Sequence, residues 1–373
     1  MQYFNLGLLC LLIITSCNQE KTPSPPSSDN EIIIAKRDSL YSTILGEQRN
    51  LYIHVPREFN LGYPETDYPV LFVLDAESHF LSIVGMLDRM STNIGEELCP
   101  QMMVVGISNT DRVRDMFPIE DEDKFHEFLE KELIPYIDKK YPTQPYRVLY
   151  GHSITGLRTT HTAIFYPDLF NAYIAIDPSL CHQYCGWFTK EAKAIKTFEL
   201  PKNQRFFLAM ANTMDGKDTT EVKQDTSGRA SHMNAMMTFS NQMMAKNNEF
   251  IPQFGWQYYP DESHNSVTLR ATLDGLEHIF AWYKNDSYDQ IFDEEADAET
   301  AFTVYQTHYK NVSEILGYEL KPPEQQVSTL IWYLVHIKNM NKKALLFAQL
   351  NVKNYPNSEH AKNQLEEVKA SLK

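Results

Sequence analysis

Residues far apart along the chain have the types needed for nucleophilic catalysis. They are Ser153 in Gly151-His152-Ser153, His264 in Ser263-His264-Asn265-Ser266, and an acid among Asp215, Asp218, Glu221 and Asp225. A serine hydroxyl is a weak nucleophile until a base removes its proton and a third group orients that base. When the serine sits on a strand-to-helix turn, the chain order is serine, acid, histidine. The histidine then falls late, after the last strand, and His264 meets that condition, although a polar loop histidine is the plain alternative. The acid is expected in the loop 211–226, after the apolar run 205–210. Spacing does not choose among its four carboxylates, and a Ser–His dyad also remains open.

The turn itself is legible. Val148-Leu149-Tyr150 reads as strand and ends in Gly-His-Ser, and a helical pattern begins at once in Gly156-Leu157-Arg158-Thr159-Thr160. A strand that turns directly into a helix over a serine strains that serine and lifts its Oγ above the sheet edge. Strand and helix nearly touch there, so small residues are required two places before and two after. Gly151 meets the first requirement. Thr155 stands where the second asks for glycine, and Gly156 follows one place late. His152 is too close in sequence to act as the base for Ser153 and is expected to pack or hydrogen-bond beside the turn. Charge developing on a substrate oxygen needs two backbone N–H donors. Ile154, directly after the serine, offers one, and Ala76 or Glu77, in the turn after Val70-Leu71-Phe72-Val73-Leu74, offers the other.

The elements around these residues alternate. Strand patterns at 32–34, 40–45, 51–56, 70–74, 102–107, 148–150, 172–176, 205–210 and 255–259 are interleaved, from 102 onward, with helical periodicity near 122–141, 154–166, 234–246 and 267–283. That alternation implies an α/β fold with a mostly parallel sheet covered by helices on both faces. After residue 285 the character changes. An acidic stretch, 286–299, leads into helical segments at about 300–316, 325–338, 341–354 and 358–371. Ala344-Leu345-Leu346-Phe347 followed by Tyr355-Pro356 resembles part of a tetratricopeptide unit. The expected organisation is a segment 1–16, a tether 17–30, an α/β domain 31–285 and a small all-helical region 298–373.

Composition narrows the partners. Hydrophobic residues make up 43% and aromatic residues 12%, enough for a large core, and the net charge of −15 disfavours nucleic acid and polyanionic substrates. Residues 6–14 are apolar but too short to span a bilayer, and Ile14-Thr15-Ser16-Cys17 resembles a bacterial lipobox, although no Lys or Arg precedes the run. With Cys17 lipidated, the Pro/Ser-rich stretch behind it is a tether, and the chain belongs in the bacterial cell envelope, held to the membrane by its lipid. An ordinary cleaved secretory peptide is the alternative. Cys181 and Cys185 are spaced for a local disulfide, and His182 between them lacks the further ligands a metal needs nearby. No metal or cofactor is expected.

Taken in order, several stretches resemble the putative esterase family of α/β-hydrolases, which includes esterase D, enterochelin esterases and feruloyl esterase modules. They are Leu45-Gly46-Glu47-Gln48-Arg49, the Leu74-Asp75 turn, Arg114-Asp115-Met116-Phe117-Pro118, Gly151-His152-Ser153, Tyr166-Pro167-Asp168-Leu169-Phe170, Asp177-Pro178-Ser179-Leu180 and His264-Asn265-Ser266. The resemblance runs from about residue 38 to 283. It implies an α/β-hydrolase fold, Ser153 as nucleophile, His264 as base and an acid in the 212–219 loop, Asp218 first and Asp215 second. It implies a small-molecule ester substrate: a siderophore, a feruloyl or acetyl carbohydrate, or a small acyl ester. Cys181-His182 departs from the aromatic pair usual after the Pro-Ser-Leu turn. Tyr184, Trp187 and Phe188, in a loop beyond a strand end, are expected to wall the acyl site. A rival reading has an inactive hydrolase body presenting the C-terminal helices to a protein partner, with Thr155 and the helical appendage as its motives.

Overall fold

The computed structural model describes residues 32–56, 67–92, 97–117, 123–181, 192–214, 216–227, 230–246 and 253–373. Eight strands make one sheet: β1 (Lys36–Ser42), β2 (Glu47–His54), β3 (Tyr68–Leu74), β4 (Met103–Ile107), β5 (Thr143–His152), β6 (Ala172–Ile176), β7 (Arg205–Ala211) and β8 (Phe254–Tyr259), in the order β1-β2-β4-β3-β5-β6-β7-β8. β1 and β2 are antiparallel to each other, and β2 is antiparallel to β4. Every pairing from β4 to β8 is parallel. This is the mostly parallel sheet expected from the alternation, in the α/β-hydrolase arrangement that the resemblance implies.

β3 shows why the centre holds. All seven of its residues are buried, and alternate side chains enter two different cores, as the twofold period of a strand requires. Val70, Phe72 and Leu74 join Phe125, Phe128, Leu157 and Phe239 on one face; Leu71 and Val73 join Phe80, Ile83, Leu87, Ala271 and Leu276 on the other. The first face is covered by α3 (Lys124–Phe128), a π turn (Leu129–Leu133), α4 (Ile134–Lys140), α5 (Ile154–Phe165) and, later in the chain, the helix Ser231–Met244. The second is covered by α1 (Ala76–Ser91) and the helix Val267–Ile279. Between α1 and α3 lies the short α2 (Arg112–Met116).

Later helices are α6 (Ala192–Thr197), α7 (Thr219–Gln224), α8 (Ser231–Met244), α9 (Val267–Ile279) and α10 (Tyr288–Phe292). The C-terminal set is α11 (Ala298–Leu316), α12 (Glu324–His336), α13 (Asn341–Asn354) and α14 (Glu359–Ser371). Their own core holds Tyr305, Leu330, Ile331, Leu334 and Phe347. Val312 and Leu316 at the end of α11 instead enter the core of the second sheet face, so residues 35–373 form one unit.

Two local expectations shift. The first strand begins at Lys36 rather than at Ile32, and its charged, half-exposed sequence suits a sheet edge. The stretch after β3 is a full helix, α1, whose Phe80, Ile83, Val84 and Leu87 keep helical spacing and are buried. Among the described residues no helix is long and apolar enough to cross a membrane. Cys17, Tyr184, Cys185, Trp187, Phe188 and Asp215 lie outside the described residues.

Candidate active site

β5 runs into α5 with Ser153 between them, at φ 62° and ψ −120°. A residue with a side chain adopts such a conformation only when its surroundings enforce it. Here the Ser153 N–H donates to the Ile176 carbonyl at 2.9 Å, and the Ser153 carbonyl accepts from the Leu157 and Ser179 N–H groups, both at 3.0 Å. Gly151 is obligatory: a Cβ there would lie 2.2 Å from the Thr155 carbonyl oxygen. Gly156 serves a separate contact, since a Cβ on it would lie 3.1 Å from the Ile176 carbonyl oxygen and from Pro178.

Thr155 is accommodated and bonded. It has no exposed surface. Its Oγ1 accepts from the His152 N–H at 2.8 Å and shares its own hydrogen between the His152 carbonyl, at 2.8 Å, and Asp75 Oδ2, at 3.1 Å. Asp75, left-handed at φ 54°, is the residue before α1. It is clamped by Arg112, whose Nε and Nη2 donate to Oδ1 and Oδ2 at 2.8 and 2.7 Å, and by Asn109 Nδ2 at 2.6 Å. Burial alone would raise the Asp75 carboxyl, but Arg112, Asn109 and Thr155 outweigh it and keep the carboxyl below its ordinary value. One side chain therefore joins the two turns from which the expected oxyanion donors come.

Those turns stand side by side because β3 and β5 pair in parallel, Val73 against Tyr150. α1 and α5 start just beyond, so Ala76, Glu77 and Ile154 occupy first-turn positions whose N–H groups have no partner within the helix. The positive ends of two helices face the region around Ser153.

Ser153 Oγ lies 2.9 Å from His264 Nε2, and His264 Nδ1 lies 2.5 Å from Asp177 Oδ2. With the proton on Nδ1, the imidazole donates to the carboxylate and its Nε2 accepts from the serine hydroxyl. His264 comes from the loop between β8 and α9, as its place in the sequence implied. His152 is beside it in the role anticipated for it: its Nε2–H donates to the His264 carbonyl at 2.8 Å, and burial, with His264 near, lowers it from 6.5 to about 4, so it is a neutral donor. Ser179 Oγ, which the sequence did not single out, lies 3.4 Å from the serine oxygen.

The acid corrects the expectation. Asp218 does not meet the imidazole; it caps α7, accepting from the Thr220 and Glu221 N–H groups at 2.7 and 2.9 Å, while Glu221 Oε2 accepts from the Asp218 N–H at 2.9 Å. Asp218-Thr219-Thr220-Glu221 is a capping box, a local sequence signal for that use. Of the other candidates, Glu221 completes the box and Asp225 pairs with Lys217. Asp177 faces His264 instead, from the end of β6, the strand next to β5. The signal for it was an aspartate at the carboxyl end of a neighbouring parallel strand, the edge where such sheets bind ligands. Asp177 is fully buried; its Oδ1 accepts from the Ala211 N–H at 2.9 Å, and its N–H donates to the Ala209 carbonyl at 2.8 Å. Burial would raise its carboxyl, but His232 and His264 outweigh burial and hold it well below the ordinary carboxylate range.

Asp177, His232 and His264 also make a group that could hold a metal ion. The 2.5 Å between Nδ1 and Oδ2 argues against that use, because two ligands on one tetrahedral zinc ion stand about 3.3 Å apart. These atoms share a proton. Cys181, just beyond β6, is buried and hydrogen-bonds to His232; its expected partner Cys185 lies outside the described residues.

Comparison with known proteins bears on the family and the fold. The family model described as Esterase, Putative esterase, matches residues 42–260, more than half of the chain. Among solved structures, an IroE-like serine hydrolase from Shewanella oneidensis is 25% identical at a TM-score of 0.67, covering 85% of this chain and 98% of its own. Siderophore hydrolase EstB from Aspergillus nidulans is 20% identical at 0.54, covering 68% and 96%. An uncharacterised protein from Capnocytophaga ochracea is 16% identical at 0.60, covering 90% and 93%. Comparison with the curated proteins finds no match.

Proposed function

The chain belongs to the Putative esterase family, and on that premise we propose that it is a serine esterase working through an acyl-enzyme, with Ser153, His264 and Asp177 in a relay. The observation that carries the reading is the continuous hydrogen-bonded path from Ser153 Oγ through His264 to a buried carboxylate. In the first step Ser153 Oγ bonds to the ester carbonyl carbon while His264 Nε2 takes the hydroxyl proton. The carbonyl oxygen becomes an oxyanion among the N–H groups of Ile154 and of Ala76 or Glu77. His264 then returns the proton to the departing alkoxide oxygen, the C–O bond breaks, and the acyl group stays on Ser153. Water repeats the sequence with His264 again as base and releases the carboxylic acid.

The rival, non-catalytic reading took Thr155 and the helical appendage as its motives. The three hydrogen bonds of Thr155 give it a place in an intact turn, and the buried carboxylate bonded to the imidazole favours a role in proton transfer. The experiment is a screen of the full chain against siderophore, feruloyl, acetyl-carbohydrate and short acyl esters, beside Ser153→Ala. Turnover lost in the variant, with an active-site phosphonate labelling only the parent, is the expected result. Hydrolysis that continues in Ser153→Ala removes the assignment. In the same reading the chain is tethered in the bacterial cell envelope through lipid on Cys17.

A further inference from the structure

Orienting one imidazole takes one carboxylate oxygen. Asp177 Oδ2 is engaged twice. It receives His264 Nδ1–H at 2.5 Å and, at 3.1 Å, His232 Nε2 from the first turn of α8. Oδ1 is occupied by the Ala211 N–H, and the side chain has no exposed surface, so water does not offset its charge. His232 is itself only 17% exposed, and its ring stands edge-on to that of His264 with centroids 5.8 Å apart. Cys181 is its other hydrogen-bond partner. The relay from Ser153 to His264 does not pass through His232, and no motif in the sequence marks it.

We propose that His232 is a positioning residue for the Ser153 chemistry, a cation that locks the Asp177 carboxylate in place and tempers its pull on the His264 proton. The proposal rests on the serine-esterase reading for its kinetic consequence, though not for its structural content. Burial works against a charge on His232, but Asp177 and Cys181 outweigh burial and raise it from 6.5 to about 9. A protonated ring at that position donates to the carboxylate from Nε2. The titratable groups that face it are Asp177 and Cys181, after β6, and His264, in the loop after β8. When His264 is protonated, two imidazolium rings share one carboxylate, and their repulsion disfavours that state. The same linkage gives the fold a contribution that is fully present below about 6.5 and lost as the pH rises through about 9.

The test uses the full chain, its His232→Gln and His232→Ala variants, and the kcat/KM profile for a 4-nitrophenyl ester from about pH 5 to about pH 9. Gln keeps a donor without the charge. In both variants the acid limb should move to higher pH, and kcat at the plateau should fall more in Ala than in Gln, with KM little changed. An acid limb that stays in place in both variants, or that Gln restores, overturns the proposal. The wild-type chain supplies an independent reading by NMR titration of the imidazole carbons. His232 should lose its proton near pH 9, and a His232 that is already neutral at pH 7 overturns the proposal even if neither variant folds. If the wild type hydrolyses no ester, the esterase reading fails, while the NMR titration still decides the charge on His232.

Discussion

Replacing Asp177 by Asn tests the relay most sharply. In the parent, Oδ1 accepts from the Ala211 N–H while Oδ2 receives the two imidazoles. An amide in the same place has one acceptor and one donor end. Ala211 can only donate, so the Asn carbonyl must remain at the Oδ1 position, and the NH2 group must face His264. His264 Nδ1 then becomes an acceptor and the ring proton moves to Nε2, pointing at Ser153 Oγ, where a base is needed. The buried negative charge that stabilises the imidazolium is lost as well. In a Ser-His-Asp relay this change lowers kcat by on the order of 10⁴-fold, equivalent to about 5 kcal/mol of transition-state stabilisation. The control is Asp218→Asn, because Asn caps a helix about as well as Asp does. It should change neither the melting temperature nor the turnover of a 4-nitrophenyl ester by more than about twofold. The two variants should also differ in their rate of labelling at Ser153 by an active-site phosphonate. If Asp177→Asn keeps a tenth or more of the parental rate, the relay ends at His264. If Asp218→Asn is the variant that collapses, the acid has been misassigned.

Two further outcomes follow from the same geometry. Thr155→Gly should give no gain in esterase rate: it leaves the buried His152 N–H without its acceptor and unties Asp75 from the Ser153 turn, costing about 2–4 kcal/mol. A large rate increase at unchanged stability, read by urea unfolding and turnover, would mean that Thr155 distorts the turn. Cys17→Ala should move the chain from the detergent phase to the aqueous phase on phase separation and abolish incorporation of labelled fatty acid; unchanged partitioning would dismiss the lipid anchor.

What the sequence determined by itself was local or ordinal. The continuous burial of β3, the turn at Ser153 and the requirement at Gly151 are written in runs of adjacent residues, because strand periodicity and steric contact across one turn are short-range effects. His264 was placed in the loop after the last strand by order along the chain, since the last strand of the sheet delivers the last loop. The acid was misplaced on Asp218, a residue whose own neighbours claim it for a helix cap. Asp177 lies 87 residues from His264, Asp75 lies 80 from Thr155 and His232 lies 55 from Asp177. Asp75 meets Thr155 because β3 and β5 are neighbours, and Asp177 meets His264 because β6, β7 and β8 follow one another in parallel across the sheet; the His232 pairing is made by α8. Strand order is settled by how whole faces pack, and a side chain takes its chemical role from the groups that packing places within hydrogen-bond reach. No local pattern in a sequence records which strand ends will meet; the tertiary structure alone placed the Asp177 carboxylate against both His264 and His232.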